Sequence, residues 1–164
     1  MIEIVFLDID GTMTDGKITY SNGGESKSFS VKDGLGVATW NKMGKISAII
    51  TGRTSDIVER RAKELKCKYI FQGVSDKGEV VENILKKEGL SKEQSASIGD
   101  DLNDFKMLKN TGLRFAPSDY SKLIEDEVDV VLNSKAGDGA VREMIEYIVK
   151  KENLLERFVG IYKK

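Results

Sequence analysis

The chain has 164 residues, 40% hydrophobic and 32% charged, with a formal net charge of −1; that fits one well-cored domain and excludes a basic nucleic-acid surface or an acidic disordered tail. With no histidine and one cysteine, Cys67, it cannot build a Ser-His-Asp triad, a His-ligated zinc site, a phosphohistidine or an intrachain disulfide. The lone cysteine fits a reducing, cytoplasmic setting. No apolar run approaches the ~18 residues of a membrane span, and the first residues do not read as a signal peptide.

Strand-like apolar runs alternate with helical patterns along the chain. Ile4–Leu7 is a short apolar run that stops at acids. Lys17–Tyr20 and Ser28–Val31, around Ser21-Asn22-Gly23-Gly24, predict a β-hairpin within residues 17–31. Leu35–Met43 predicts a helix, with Trp40 and Met43 on its core or interface face. Ile46–Ile50 is a strand that stops at Thr51-Gly52-Arg53; a helix over Asp56–Leu65 follows, with Ile57, Val58, Ala62 and Leu65 as its stripe. Tyr69–Phe71 is a strand, and Val80, Val81, Ile84 and Leu85 mark a helix from about Lys77 to Glu88. Ser91 and Gln94 suit either a capping box or a short turn. Ser95–Ile98 is a strand that stops at Gly99-Asp100-Asp101, ahead of a helix over Leu102–Lys109. Strands at Leu113–Ala116 and Val128–Leu132 and a helix over Ala140–Val149 complete the set. Runs of this kind are strands buried on both faces, so the expected fold is a three-layer, Rossmann-like α/β domain with a parallel sheet. The expected organisation is one domain over residues 1–150 and a tail over 151–164 too apolar for a free solvated end, serving either as an inter-subunit contact or as a helix packed on its own subunit.

The polar residues fall where such a sheet binds ligands, beyond the carboxyl ends of its strands. Asp8 and Asp10 follow the first strand, Thr51 the strand at 46–50, Asp100, Asp101 and Asp104 the strand at 95–98, and Lys77 opens a helix. Converging carboxylates repel unless a cation sits among them, and hard oxygen ligands without His or Cys suit Mg²⁺. An ammonium and a hydroxyl at the same edge supply what a phosphoryl group needs, which points to Mg²⁺-assisted phosphoryl transfer with a carboxylate as nucleophile.

Asp8-Ile9-Asp10-Gly11-Thr12 resembles the first motif of the haloacid dehalogenase superfamily. Ile50-Thr51-Gly52-Arg53 resembles the second, Lys77 the third, and Gly99-Asp100-Asp101-Leu102-Asn103-Asp104 the fourth, in order over residues 4–104. The resemblance implies Asp8 as nucleophile and Asp10 as general acid and base. It implies Thr51 and Lys77 as phosphate ligands, and Asp8, the Asp10 carbonyl and Asp100 as Mg²⁺ ligands. Asp101 and Asp104 would support them from outside. The intervals between motifs leave no room for a cap domain.

A narrower resemblance covers nearly the whole chain. Thr14–Ile18, Val31–Gly36, Val58–Ala62, Phe71–Val74 and Gly139–Glu143, with the motifs above, are similar to the 3-deoxy-D-manno-octulosonate 8-phosphate phosphatases. That implies a phosphorylated sugar acid as substrate, in lipopolysaccharide precursor synthesis. It also implies a homotetramer whose hairpins form a central barrel and whose tails reach a neighbour's site. Gly52 and Arg53 would then bind substrate, with Arg60 and Arg61 as further candidates, acting within the chain or across an interface. The 9-phosphate phosphatases of nine-carbon sugar acids are also similar but tend to carry an acid where Arg53 stands, so Arg53 favours the eight-carbon acid. Thr12 and Met13 stand where Val and Leu are usual in this family, and Asp138 where a basic residue is frequent. A phospho-accepting receiver domain, the competing class, orders its acid pair, Asp, Thr and Lys differently.

Overall fold

The computed structural model describes residues 1–163. Six parallel strands form one sheet in the order β5-β4-β1-β6-β7-β8, where β1 is Ile4–Leu7, β4 Ile46–Ile50, β5 Tyr69–Phe71, β6 Ser95–Ile98, β7 Leu113–Ala116 and β8 Val130–Val131. Two further strands, β2 (Thr19–Ser21) and β3 (Gly24–Ser26), pair only with each other. The helices are α1 (Val31–Lys42), α2 (Asp56–Glu64), α3 (Lys77–Glu88), α4 (Phe105–Lys109), α5 (Ala140–Lys151) and α6 (Leu155–Gly160).

Alternation along β1 makes the three layers. Val5 and Leu7 join a core with Val37, Trp40, Val141, Met144 and Ile145 from α1 and α5. Ile4 and Phe6 point the other way, onto Val81, Ile84 and Leu85 of α3 and Met107 of α4. Both faces of the central strands are thus removed from water, which is why they read as unbroken apolar runs. Trp40 is fully buried and donates its indole N–H to the Ile46 carbonyl at 2.9 Å.

Several boundaries differ from the sequence pattern. The second hairpin strand is Gly24–Ser26 rather than Ser28–Val31, and Val31 opens α1. Ser30 is the reason: its hydroxyl accepts from the backbone N–H groups of Lys32 and Asp33, an N-cap that draws the next residues into the helix. Leu102–Asp104 is a 3₁₀ turn, and the helix proper is only Phe105–Lys109. Ser91 and Gln94 bracket a single 3₁₀ turn in which Ser91 N–H donates to Gln94 Oε1 at 3.0 Å.

Two features brace α1 against the C-terminal half. Asp33, buried in the first turn of α1, accepts the Arg142 N–H at 2.8 Å and the Gly139 N–H at 3.4 Å, so a side chain of one helix caps the next. The tail folds back as α6: Phe158 is buried in the same core as Trp40, and Arg157 donates to the Met43 carbonyl at 2.5 Å. Burial of one such phenyl ring contributes about 1.5–3 kcal/mol. No described helix is long and apolar enough to cross a membrane.

Candidate active site

The chain runs from β1 outward to β4 and β5, then crosses back to β6, so the sheet reverses direction of growth at β1 and β6. Leu7 is level with Ile49 on one side and Ile98 on the other. Asp8, Thr51 and Gly99-Asp100 therefore leave the sheet together at this switch point, where parallel sheets open a crevice.

Asp8 is 2% exposed. Its Oδ1 lies 2.5 Å from Lys77 Nζ, and its Oδ2 is buried without a hydrogen-bond partner. Lys77 reaches it from the first position of α3, which the Asp76 side chain caps by accepting from Gly78 and Glu79 N–H. The same ammonium lies 2.6 Å from Asp104 Oδ1. Asp104 Oδ2 turns back to accept the Asp100 N–H at 2.8 Å. Thr12, fully buried, donates its hydroxyl to Asp100 Oδ1 at 2.9 Å. Carboxylate oxygens of Asp8, Asp100 and Asp104 all lie within 4.8 Å of one another.

The electrostatics call for a cation. Burial pushes the Asp8 carboxyl well above the ordinary 3.8, the Asp104 charge adds to it, and Lys77 opposes them. Burial and the Asp104 charge likewise push Asp100 to about 6. Burial alone would lower Lys77, but Asp8 and Asp104 outweigh it and keep the ammonium charged. One ammonium, on Asp8 and Asp104, serves a cluster of three carboxylates, and an unpartnered buried oxygen remains on Asp8. All the donors are hard oxygens, so the residues present fit a divalent cation such as Mg²⁺. Both Asp104 oxygens are already engaged, which leaves Asp8 and Asp100 as the side chains available to hold it. Gly11 makes the approach possible: its φ is +94°, and a Cβ there would lie 2.2 Å from Asp100 Oδ2.

The remaining expected residues separate into those near this cluster and those engaged elsewhere. Asp10 is not one of the three clustered carboxylates; its side chain is claimed by Lys27, whose Nζ lies 2.8 Å from Oδ1 and 3.0 Å from Oδ2. Only its backbone carbonyl is left for a cation. Asp101 is exposed and caps the 3₁₀ turn, accepting Leu102 N–H at 2.7 Å. Thr51 is buried and Gly52 exposed at the end of β4. Arg53 is held by the hairpin, 3.2 Å from the Tyr20 hydroxyl and 3.6 Å from Glu25. Arg60 is exposed and pairs with Glu64 at 3.2 Å. Arg61 donates to the Ser30 carbonyl, pairs with Glu64 and lies over the Phe29 ring at 5.7 Å. In this chain those two arginines brace α2 and do not join the Asp8 cluster.

Residues 42–145 match the family model of the haloacid dehalogenase-like hydrolases. The chain belongs to that family. The matched stretch of this hydrolase carries Thr51, Lys77, Asp100 and Asp104, while Asp8 and Asp10 lie outside it, toward the N-terminus. It is 37% identical to the 3-deoxy-D-manno-octulosonate 8-phosphate phosphatase of Haemophilus influenzae, over 92% of this chain and 84% of that protein. It is 34% identical to the Escherichia coli enzyme of the same name, over 97% and 85%. Its structure is similar to that of the Moraxella catarrhalis enzyme of that name, in complex with a magnesium ion, a phosphate ion and a KDO molecule. The TM-score is 0.93 and the identity 38%, covering 98% of this chain and 93% of that one. The cobalt-bound Haemophilus influenzae structure gives a TM-score of 0.86 at 37% identity, over 91% and 88%.

Three contributors to this hydrolase's site carry no separate signal in the sequence. Tyr20 ends a strand-like stretch, Lys27 falls between the two such stretches and Thr12 closes the first motif, but nothing in the sequence joins them to Arg53, Asp10 and Asp100.

Proposed function

We propose that this hydrolase is a Mg²⁺-dependent phosphatase that converts 3-deoxy-D-manno-octulosonate 8-phosphate to the free sugar acid and orthophosphate, in lipopolysaccharide precursor synthesis. The observation that carries it is Asp8: a buried carboxylate with one oxygen on Lys77 and the other unpartnered, beside Asp100. The names of the relatives give the substrate class.

The Asp8 carboxylate attacks phosphorus, the bond from phosphorus to the sugar oxygen breaks, and Asp10 protonates that oxygen as it leaves. Water then attacks the aspartyl-phosphate, Asp10 takes its proton, and the Asp8–phosphorus bond breaks to free orthophosphate. Lys77 and Thr51 hold the phosphoryl oxygens, and Asp104 holds Lys77. Asp8, the Asp10 carbonyl and Asp100 would hold Mg²⁺, which when bound would supply positive charge for the phosphoryl group and favour the ionised form of Asp8. Arg53, beside Gly52, takes the sugar-acid carboxylate once it exchanges Tyr20 and Glu25 for it.

The reading extends to a homotetramer in the cytoplasm, without nucleic-acid or membrane partners. The hairpin stands off the main sheet, with Tyr20 71% exposed and Val31 80% exposed beside it, which suits burial between copies. The exposure of Leu155 and Val159 on the tail supports a contact with a neighbour, while Tyr162 bonds Thr39 of its own chain.

The test is orthophosphate release with Mg²⁺ from the eight-carbon 8-phosphate, a nine-carbon sugar-acid 9-phosphate and an aryl phosphate, for the parent and Asp8→Asn. Preference for the eight-carbon acid and loss of all turnover in Asp8→Asn are expected. Equal turnover of the two sugar acids would overturn the substrate, and turnover by Asp8→Asn would overturn the nucleophile.

A further inference from the structure

Lys27 stands out as a buried charge that the four motifs do not use. It follows β3 on the hairpin, and its side chain is 0% exposed. Asp10 is its carboxylate partner, with both oxygens within 3.0 Å of the ammonium. Stripping an ammonium of water costs several kcal/mol unless a well-placed counter-charge replaces it. A solvated lysine at the same hairpin position would avoid that cost, so the burial asks for a purpose beyond stability.

We propose that Lys27 is the positioning residue of Asp10, the group that fixes the carboxyl plane for proton delivery to the leaving oxygen. This rests on the functional reading above, which makes Asp10 the acid and base. Asp10 follows the end of β1 and is joined to the carboxylate cluster by backbone alone. Without a partner its side chain would turn freely about two torsions, and a proton donor must lie within about 3 Å of the oxygen it serves. A cation hydrogen-bonded to Oδ2 and ion-paired with Oδ1, which has no hydrogen-bond partner of its own, removes that freedom. It also stands ready for the negative charge that appears on Asp10 as the proton leaves, so no reorganisation is needed at that moment. The hairpin thereby reaches the chemistry from outside the sheet: β2–β3 delivers Lys27 to Asp10 while Tyr20 and Glu25 hold Arg53.

The leaving group separates this role from others. A nitrophenolate departs without a proton, whereas an alkoxide needs one. The ratio kcat/KM reports only steps up to phosphorylation of Asp8. It would be measured for p-nitrophenyl phosphate and for glycerol 3-phosphate, an alkyl ester without a carboxylate, in the parent, Lys27→Met, Lys27→Gln and Lys27→Arg enzymes. General acids contribute about 10²–10⁴-fold, so Lys27→Met is expected to lose at least ~30-fold on the alkyl ester and under ~3-fold on the aryl ester. Lys27→Arg, which keeps a two-pronged cation, is expected to recover most of the alkyl activity. Equal losses on both esters would overturn the proposal in favour of a role in folding or phosphate binding. Unchanged values on both, with loss only on the sugar-acid phosphate, would overturn it in favour of a contact to the sugar. If Lys27→Met does not fold, Lys27→Gln decides by the same two ratios. A parent enzyme that releases orthophosphate from no ester overturns the functional reading itself, an outcome distinct from any pattern among the variants.

Discussion

Asp100→Asn should make the metal-free protein more stable while abolishing its response to Mg²⁺. The carboxyl sits at about 6 in the folded chain against an ordinary 3.8. Holding it ionised at neutral pH therefore costs about 3 kcal/mol at 1.36 kcal/mol per unit. An asparagine keeps an oxygen to accept the Thr12 hydroxyl, so most of that cost is recovered; at roughly 2–4 °C per kcal/mol for a chain of this size, full recovery would raise Tm by about 6–12 °C. Because the folded carboxyl binds its proton near pH 6 and the unfolded one only near 3.8, the penalty is absent below about 3.8, grows as pH rises to about 6, and stays full above. Thermal unfolding in a chelator at pH 7.5 should show the variant above the parent, and at pH 4 the two should nearly coincide. Added Mg²⁺ should then raise the parent and leave the variant unmoved. A variant equal to or below the parent in the chelator at pH 7.5 would refute the view that this cluster is an unbalanced set of charges awaiting a cation.

Gly11→Ala puts a Cβ 2.2 Å from Asp100 Oδ2 at a φ of +94°; strain of about 1–3 kcal/mol and a displaced Asp100 should weaken Mg²⁺ binding at least ~10-fold, read by calorimetric titration. Asp33→Ala uncaps α5 and leaves two amide donors facing an empty buried site, so the urea midpoint should fall by the equivalent of about 1–3 kcal/mol with the catalytic carboxylates unchanged. Deleting residues after Asn153 removes Phe158 and the Arg157 bond to Met43; Tm should drop by roughly 5 °C or more, and KM should also change if the tail serves a neighbour.

The site's chemical groups were legible because each closes a strand of the parallel sheet, where composition switches abruptly from apolar to acidic. Asp8, Thr51 and Asp100 stand one or two residues past β1, β4 and β6. Lys77 was legible from its order in the motifs, and its side chain proves to be 99% buried. The hairpin was legible as a hairpin but not in register, because Ser30 gives Val31 to α1 and no apolar face pins strands with exposed sides. Lys27 and Arg61 show the deeper gap. Lys27 lies on no stripe and Arg61 shares a helix face with Ile57 and Leu65, yet the first is sealed against Asp10 and the second lies over Phe29, and only the three-dimensional neighbours show it. Asp104, read from the motif order as a supporting acid, shares a cluster with Asp8 and Asp100, which its place in the motif does not show.

Asp104 gives one oxygen to Lys77 and the other to the backbone of Asp100. On the proposed function, the residue that would grip phosphate and the loop that would present a metal ligand are therefore fastened to the same rigid carboxylate. Substitutions at 77 and at 100 should not add as independent sites do, and a double-mutant cycle between them should return a coupling of order 0.5–3 kcal/mol. For evolution the same fastening is a constraint: metal affinity and phosphate affinity cannot be tuned one at a time through these residues. Divergence in substrate is left to the hairpin and the segment after β4, which meet each other through Tyr20, Glu25 and Arg53 and are free of that shared anchor.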